Sequence, residues 1–330
     1  MYRWIRVCSV VSVLLVMTLG AAPAGGSTAA ALSDPFFDKY QKYDAIAGKL
    51  QTLAAANQGR ARVQSIGTTH EGRAISMITI GGQGETGSRM LITCGQQARE
   101  WISVAVCVGV ADYLLANYTT LPPYIRAHPI DIVPVVNPDG YEYSHTTDRR
   151  WQKNRRSGAS CRGVNLDRNF AYNFGSADAS SDPCNDIYRG PSAFSEPESR
   201  AIRDLALTSH YKTSIAFHSY GQQILYPWHA TLSPPANREN LARIGAAIRD
   251  TMTASSGTTW VAGQSSTLLG TASGTEQDWL YNNAGVTLPY LIELRPEGDS
   301  DNGFILPPAE IRPSIIEAQA AVDTLLQNAP

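Results

Sequence analysis

The chain reads as an α/β protein, a single-domain α/β/α sandwich whose mixed, mostly parallel central sheet lies under helices on both faces. Three features predict this. From residue 35 onward, short β-branched apolar runs alternate with longer segments of helical periodicity. The run 130–136 is almost continuously apolar, as a strand covered on both faces requires. No internal repeat and no linker divides the region.

The first element is a leader. Arg3 and Arg6 form a basic start, residues 7–19 an apolar stretch, and Ala22-Pro23-Ala24 a small-x-small cleavage site. Residues 1–24 are therefore expected to be a signal peptide, and the protein to be secreted into the extracellular space. The apolar stretch is too short for a membrane span, and no later segment reaches spanning length. Residues 25–34 follow as a short mature segment, and residues 35–330 form one domain.

Residues 35–58 predict one amphipathic helix, with Phe37, Tyr40, Tyr43, Ile46, Leu50 and Leu53 at helical spacing and Gly59 as its stop. Strands follow at 62–66, 75–80 and 90–93. Between the last two, Gly82-Gln83-Gly84-Glu85-Thr86-Gly87 matches G-x-G-x-x-G, but it precedes a strand and not a helix. It reads as a hairpin loop. A helix at 101–118 and the strand 130–136 come next. Residues 137–195 are polar and loop-like, and loops of that length are usually functional. The helix that starts at Ser195 carries a capping box, Ser195-x-x-Glu198, with Pro197 in its first turn. Strand 213–217 ends at His218. A helix at 237–255, a strand at 288–294 and a terminal helix at 309–327 complete the alternation.

Charge excludes two partner classes. Without Arg3 and Arg6 the formal net charge moves from −2 to −4, so no basic footprint exists for nucleic acid or an anionic membrane. Cys8 leaves with the leader. Cys94, Cys107, Cys161 and Cys184 remain, and in an exported chain they imply disulfides. Three connectivities exist on paper; the sequence-local one, Cys94–Cys107 with Cys161–Cys184, is favoured. Asn117-Tyr118-Thr119 is a glycosylation sequon. Nothing in the sequence speaks to oligomeric state, and a monomer is the default.

A catalytic zinc site uses three protein donors and keeps one position open for water. Gln97-x-x-Glu100 follows strand 90–93 at the turn into a helix, and His218 ends strand 213–217. Strand ends of an open α/β sheet are where such donors gather. Singly, Glu100 also suits a helix N-terminus and His218 a hydrogen-bonded core position. Glu293 interrupts the apolar run Pro289-Tyr290-Leu291-Ile292-Glu293-Leu294. A carboxylate buried there is either paired, with Arg295 as the nearest cation, or raised in pKa.

Taken together, these segments resemble the secreted zinc metallocarboxypeptidases of the pancreatic A/B type over essentially the whole mature chain. Gly95 to Ser103 resembles the first metal-ligand segment, and Asn137-Pro138-Asp139-Gly140-Tyr141 the family's Asn-Pro-Asp-Gly turn. Arg149 to Arg155 and Gly163 to Phe170 follow in family order. His218-Ser219-Tyr220 resembles the third-ligand segment. Ser273-Gly274, Asp278-Trp279 and Ile292-Glu293-Leu294-Arg295 resemble the pocket and the catalytic base. Cys161 with Cys184 matches the family's common disulfide, and Cys94 with Cys107 an additional bridge of the B-type enzymes. The resemblance implies one Zn2+ held by Gln97, Glu100 and His218, Glu293 as general base, and peptide or protein C-termini as substrates. It also implies substrate contacts at Arg99, Asp167, Arg168, Tyr220, Gly270 and Gln277.

Four positions depart from the family pattern. Gln97 stands where a histidine ligand belongs, and a neutral amide oxygen is a weaker zinc donor than imidazole. Gln152 stands at the oxyanion arginine, where it offers a hydrogen bond without charge. Asp167 replaces asparagine beside Arg168 and competes with a substrate carboxylate for the guanidinium. Gly270 falls where a mobile tyrosine is expected; nearby Tyr281 belongs to a predicted helix. Gln277, at the specificity position, is neutral and polar. The sequence therefore predicts a metallocarboxypeptidase-type hydrolase with weakened or altered activity, or a carboxypeptidase scaffold that binds peptides or a partner without efficient turnover. The chain holds no G-x-S-x-G elbow for a serine hydrolase.

Overall fold

The computed structural model describes residues 33–81, 87–298 and 303–330. The expected signal peptide and most of the glycine-rich loop lie outside the described residues. The elements in order are α1 (Tyr43–Ala56), β1 (Ala61–Thr68), β2 (Ala74–Ile80), β3 (Met90–Cys94), α2 (Trp101–Ala116), β4 (Ile130–Val133) and α3 (Pro138–Thr146). Then come α4 (Pro197–Ser209), β5 (Thr213–Ser219), β6 (Gln223–Tyr226), α5 (Arg238–Ser256), β7 (Val261–Gln264), α6 (Glu276–Asn283), β8 (Leu288–Leu294) and α7 (Ile311–Gln327).

The strands form one mixed sheet in the order β1-β2-β4-β3-β5-β8-β6-β7. Its centre, β4-β3-β5-β8, is parallel, and β2 and β6 attach antiparallel on either side. Alternate residues of each central strand feed opposite cores. Met90 and Ile92 of β3, Ile215 and Phe217 of β5, and Tyr290 and Ile292 of β8 join α1, α2, α5 and α7 in the larger cluster. Leu91 and Val133 meet α4 and α6 in the smaller one. Burial on both faces is what the continuous apolar run of β4 required. Among the described residues, no helix is long and apolar enough to cross a membrane.

Both disulfides form with the sequence-local pairing, Cys94–Cys107 and Cys161–Cys184. Cys94–Cys107 ties the end of β3 to the middle of α2.

Several expectations need correction. The helix foreseen over 35–58 is broken. Asp34 caps a one-turn helix at Pro35–Asp38 by accepting from Phe36 N, and Lys39 is extended before α1 begins. Strands β2 and β3 do not form a hairpin, since both pair with β4. Ser195 does not cap α4. Its hydroxyl donates to Glu196 (2.7 Å), the helix starts at Pro197, and Glu198 lies buried, accepting from Asn154. The polar stretch 137–195 contains α3, started by Asn137, whose side chain accepts from Gly140 N (2.9 Å), and by Pro138 behind it. The sequon asparagine, Asn117, is buried, and its amide donates to the Tyr113 carbonyl (2.9 Å).

Candidate metal centre and peptide-end subsite

Gly95 leaves β3 with φ +64°, and a Cβ there would press on Val104 and on the backbone of residues 134–135. Only glycine makes this turn, which carries residues 96–99 across the C-terminal ends of the strands. Asn137 donates from its amide to the carbonyls of Gln96 and Lys153, 3.1 Å each. Ala98 N donates to the Gln152 carbonyl (3.0 Å). The Ser103 hydroxyl donates to the carbonyl of Glu100 (2.8 Å), the residue that begins α2. The Asn-Pro-Asp-Gly turn therefore staples the 96–100 segment to the 152–153 segment.

On β5, Ile215 and Phe217 take the large core, which turns His218 to the opposite face. His218 there pairs in register with Glu293 of β8, which alternates in the same way with Ile292 and Leu294. His218 Nδ1 lies 3.1 Å from Glu100 Oε2, and both side chains are buried. Burial pulls the imidazole pKa down, but the charge and hydrogen bond of Glu100, helped by Asp167 and Glu293, lift it to about 10. Burial also raises the Glu100 carboxyl, against the pull of His218, so the two share a proton across this contact. Burial pushes Glu293 up to about 8, with His218 and Arg168 opposing and Glu100 and Asp167 adding to the rise. Arg295 does not neutralise Glu293; it is engaged by Glu317, Glu310 and Thr258.

One carboxylate oxygen in this site, Glu293 Oε2, is sealed from solvent without a hydrogen-bond partner, and Glu100 Oε2 has only His218 Nδ1 beside it. A buried acceptor left so is costly unless a proton or a cation meets it. An acid, an imidazole and such an uncommitted oxygen form a donor set for a divalent cation. Gln97 is half-buried, and its side chain makes no hydrogen bond among the described residues. Its amide oxygen is thus uncommitted.

The remaining expected site residues divide. Gln152 is buried beside the 96–100 turn, bonded through its backbone. Asp167 is buried and sends its charge onto Glu100, His218 and Glu293. Four of the five N–H groups of Arg168 are engaged: Nη1 donates to the Asp167 carbonyl (2.8 Å) and Oδ2 (3.0 Å), Nε to the Asp178 carbonyl (2.7 Å), and Nη2 to Asp178 Oδ2 (2.6 Å). Gln277 is satisfied by the fold itself, accepting from Ser265 (2.7 Å) and donating to the Leu225 carbonyl (2.8 Å). Gly270 is exposed with φ +86° and open space where a Cβ would be. Tyr281 bonds Asn237 and packs edge-on against Trp228, so it does not stand in for the tyrosine missing at Gly270. Tyr220 packs edge-on against Phe304, and the Arg99 guanidinium lies 3.9 Å over the same ring.

Two acids of the region had no signal in sequence reasoning. Glu276 is buried, accepts from Thr93 (2.8 Å) and Gln96, and is pushed up to about 7 by burial. Asp178 sits in a polar loop where nothing local marks it as the partner of Arg168.

A second group, His70, Glu196 and Glu198, has ligand atoms within 4.8 Å of one another. Glu196 is spoken for, while Glu198 accepts from Asn154 through Oε2, leaves Oε1 without a partner and is pushed up to about 7 by burial. Arg156 (2.9 Å), His70 (2.9 Å), Asn154 and Ser195 all bond Glu196, which drops to about 2 despite burial. This group reads as an ion-pair network under the start of α4.

Comparison with known proteins identifies the family and the fold. Residues 46–321 match the family model described as zinc carboxypeptidase. Carboxypeptidase B of Astacus astacus is 34% identical over 280 residues, covering 83% of this chain and 92% of that protein. Carboxypeptidase B of Bos taurus is 33% identical over 293 residues, covering 87% of this chain and 70% of that protein. Among solved structures, bovine thrombin-activatable fibrinolysis inhibitor in complex with tick carboxypeptidase inhibitor superimposes with a TM-score of 0.83 at 30% identity, covering 89% of this chain and 98% of that one.

Proposed function

Given that the chain belongs to the zinc carboxypeptidase family, we propose that it is a secreted hydrolase that removes terminal residues from peptides, at a rate well below that of an intact family site. The residues present fit one Zn2+: Glu100 and His218 as ordinary donors, Gln97 as a weak third. The carrying observation is the buried Glu100–His218 contact at 3.1 Å, with the partnerless Glu293 Oε2 on the neighbouring strand. Zinc, when bound, supplies a Lewis acid and lowers the pKa of its water.

The chain's own residues do the rest. Glu293 accepts the water proton and passes it to the leaving amine, a task suited to a carboxyl whose pKa is lifted toward neutrality. Gln152 donates a neutral hydrogen bond to the developing oxyanion. Losing an oxyanion donor costs roughly 100- to 1000-fold in turnover, and an uncharged substitute recovers part of that. Gly270 leaves the peptide end without a closing side chain. The leader-like residues 1–24 and the two disulfides support export, and the absence of a basic charge excess supports no nucleic-acid or membrane partner; residues 25–34 are read as a short lead-in and residues 35–330 as a monomeric catalytic domain.

The test is hydrolysis of a peptide panel by zinc-supplemented protein and by Glu293→Gln. Cleavage that is slow in the wild type and abolished in the variant supports the reading; cleavage equal in both discards it. The second reading, a peptide binder without turnover, is favoured by Arg168, each of whose nitrogens already donates within the chain. It wins if zinc and peptide bind but nothing is cleaved.

A further inference from the structure

We propose that the subsite at Arg168 receives a peptide end bearing N–H donors, a C-terminal carboxamide or a protonated amine, and rejects a free carboxylate, with Asp178 as the specificity-determining residue alongside Asp167. The inference rests on the reading that this cleft takes peptide ends.

A carboxylate-binding arginine must present its fork of N–H groups to the ligand. Here every guanidinium nitrogen of Arg168 already donates inside the chain. Asp167 takes Nη1 through its carbonyl and Oδ2, and Asp178 takes Nε and Nη2 through its carbonyl and Oδ2. Asp178 therefore covers the Nε–Nη2 edge of the fork with one carbonyl and one carboxylate oxygen.

The contact is built into the fold. The Ser273 hydroxyl accepts from Ser176 N and Ala177 N, 3.1 Å each, and Ser273 N donates to the Ala177 carbonyl (2.9 Å). Asp178 itself holds φ +42°, a left-handed conformation that aspartate tolerates better than most residues. From the other side, Gly274 packs so closely that a Cβ would come within 2.5 Å of the Arg168 carbonyl. The loop carrying Asp178 and the segment carrying Arg168 are thus pinned to the same two residues.

What this arrangement offers a ligand is acceptor oxygen. The Arg168 side chain is 11% exposed and that of Asp178 49%. Asp178 Oδ1 is not used by Arg168, and Asp167 Oδ1 receives only a long contact from Glu276 N (3.4 Å). Two carboxylates against one guanidinium leave a net negative charge. An incoming carboxylate would find a single uncommitted Nη2–H, or have to expel Asp178, and in either case lie near Asp167. A carboxamide or an ammonium finds acceptors waiting.

The test uses one fluorescent peptide made with three ends: free acid, carboxamide, and a terminal aminoalkyl group. Binding to full-length Glu293→Gln protein, with zinc present, is read by anisotropy, so turnover plays no part. The carboxamide or the amine should bind at least about tenfold tighter than the acid, the worth of one charge-assisted hydrogen bond; whichever binds tighter identifies the end group. Asp178→Ala combined with Asp167→Asn should invert the order. Asp178→Asn, which keeps the shape, should narrow the gap even if the double variant is poorly folded. Acid binding as tightly as carboxamide in the parent overturns this inference and leaves the proposed hydrolase standing. Failure of all three peptides to bind overturns both.

Discussion

If Glu100 and His218 hold the metal, zinc must compete with the proton that now joins them. His218 has its pKa lifted from 6.5 to about 10 because the Glu100 carboxylate outweighs the effect of burial. The folded-state value lies above the unfolded one, so the pair stabilises the metal-free protein fully below pH 6.5. That contribution fades as pH rises through about 10. A cation needs neutral imidazole. At pH 7 the displaced proton is held by about three pKa units, a handicap of about 4 kcal/mol, or roughly a thousandfold in zinc affinity. The apparent affinity should therefore rise close to tenfold per pH unit from pH 7 to 9, with at least one proton released per zinc. Competition against a chromophoric chelator gives the slope, and titration calorimetry in two buffers of different ionisation enthalpy gives the proton count. A flat affinity with no proton release would refute the argument, because His218 would then hold no proton for zinc to displace.

Other consequences follow from the same geometry. Gln97→His supplies an imidazole as the third donor and should tighten zinc by at least about 100-fold, since even outer-shell changes cost 10- to 100-fold; the same chelator competition reads it. Gly274→Ala forces a Cβ to within 2.5 Å of the Arg168 carbonyl at φ +72°, and should cost about 2 kcal/mol or more in urea unfolding. Asp323 has a buried, partnerless Oδ1, and burial alone raises its carboxyl from 3.8 to about 6. With the folded value raised, ionisation is penalised in the native state, and the penalty grows from pH 3.8 to about 6. Asp323→Asn should therefore gain up to about 3 kcal/mol at pH 7 and nothing below pH 3.5, measured by denaturant unfolding at the two pH values.

The central sheet and the two disulfides were legible because they rest on patterns the chain states locally. Apolar runs such as 130–133 and 288–294 have one way to be buried, and four cysteines in one domain leave few pairings. Elements that depend on their partners were not legible. Strands β6 and β7, four residues each, have no periodicity to detect and exist because β8 offers an edge to β6 and β6 offers one to β7. Ser195 lost its cap because Glu196 drew its hydroxyl into the Arg156–His70 network. In the site, residue identity at each expected position could be read, but engagement could not. Gln277 and Arg168 look available in sequence, and both are spent on the protein: one on Ser265 and Leu225, the other on two aspartates, of which Asp178 lies ten residues along the chain.

Anomalous diffraction from zinc-grown crystals, recorded on both sides of the zinc edge, locates the metal without reference to activity. A single strong peak bounded by Gln97, Glu100 and His218, within reach of Glu293, is the expected result. A peak between His70, Glu196 and Glu198 instead, or none in a crystal that contains stoichiometric zinc in solution, would contradict it.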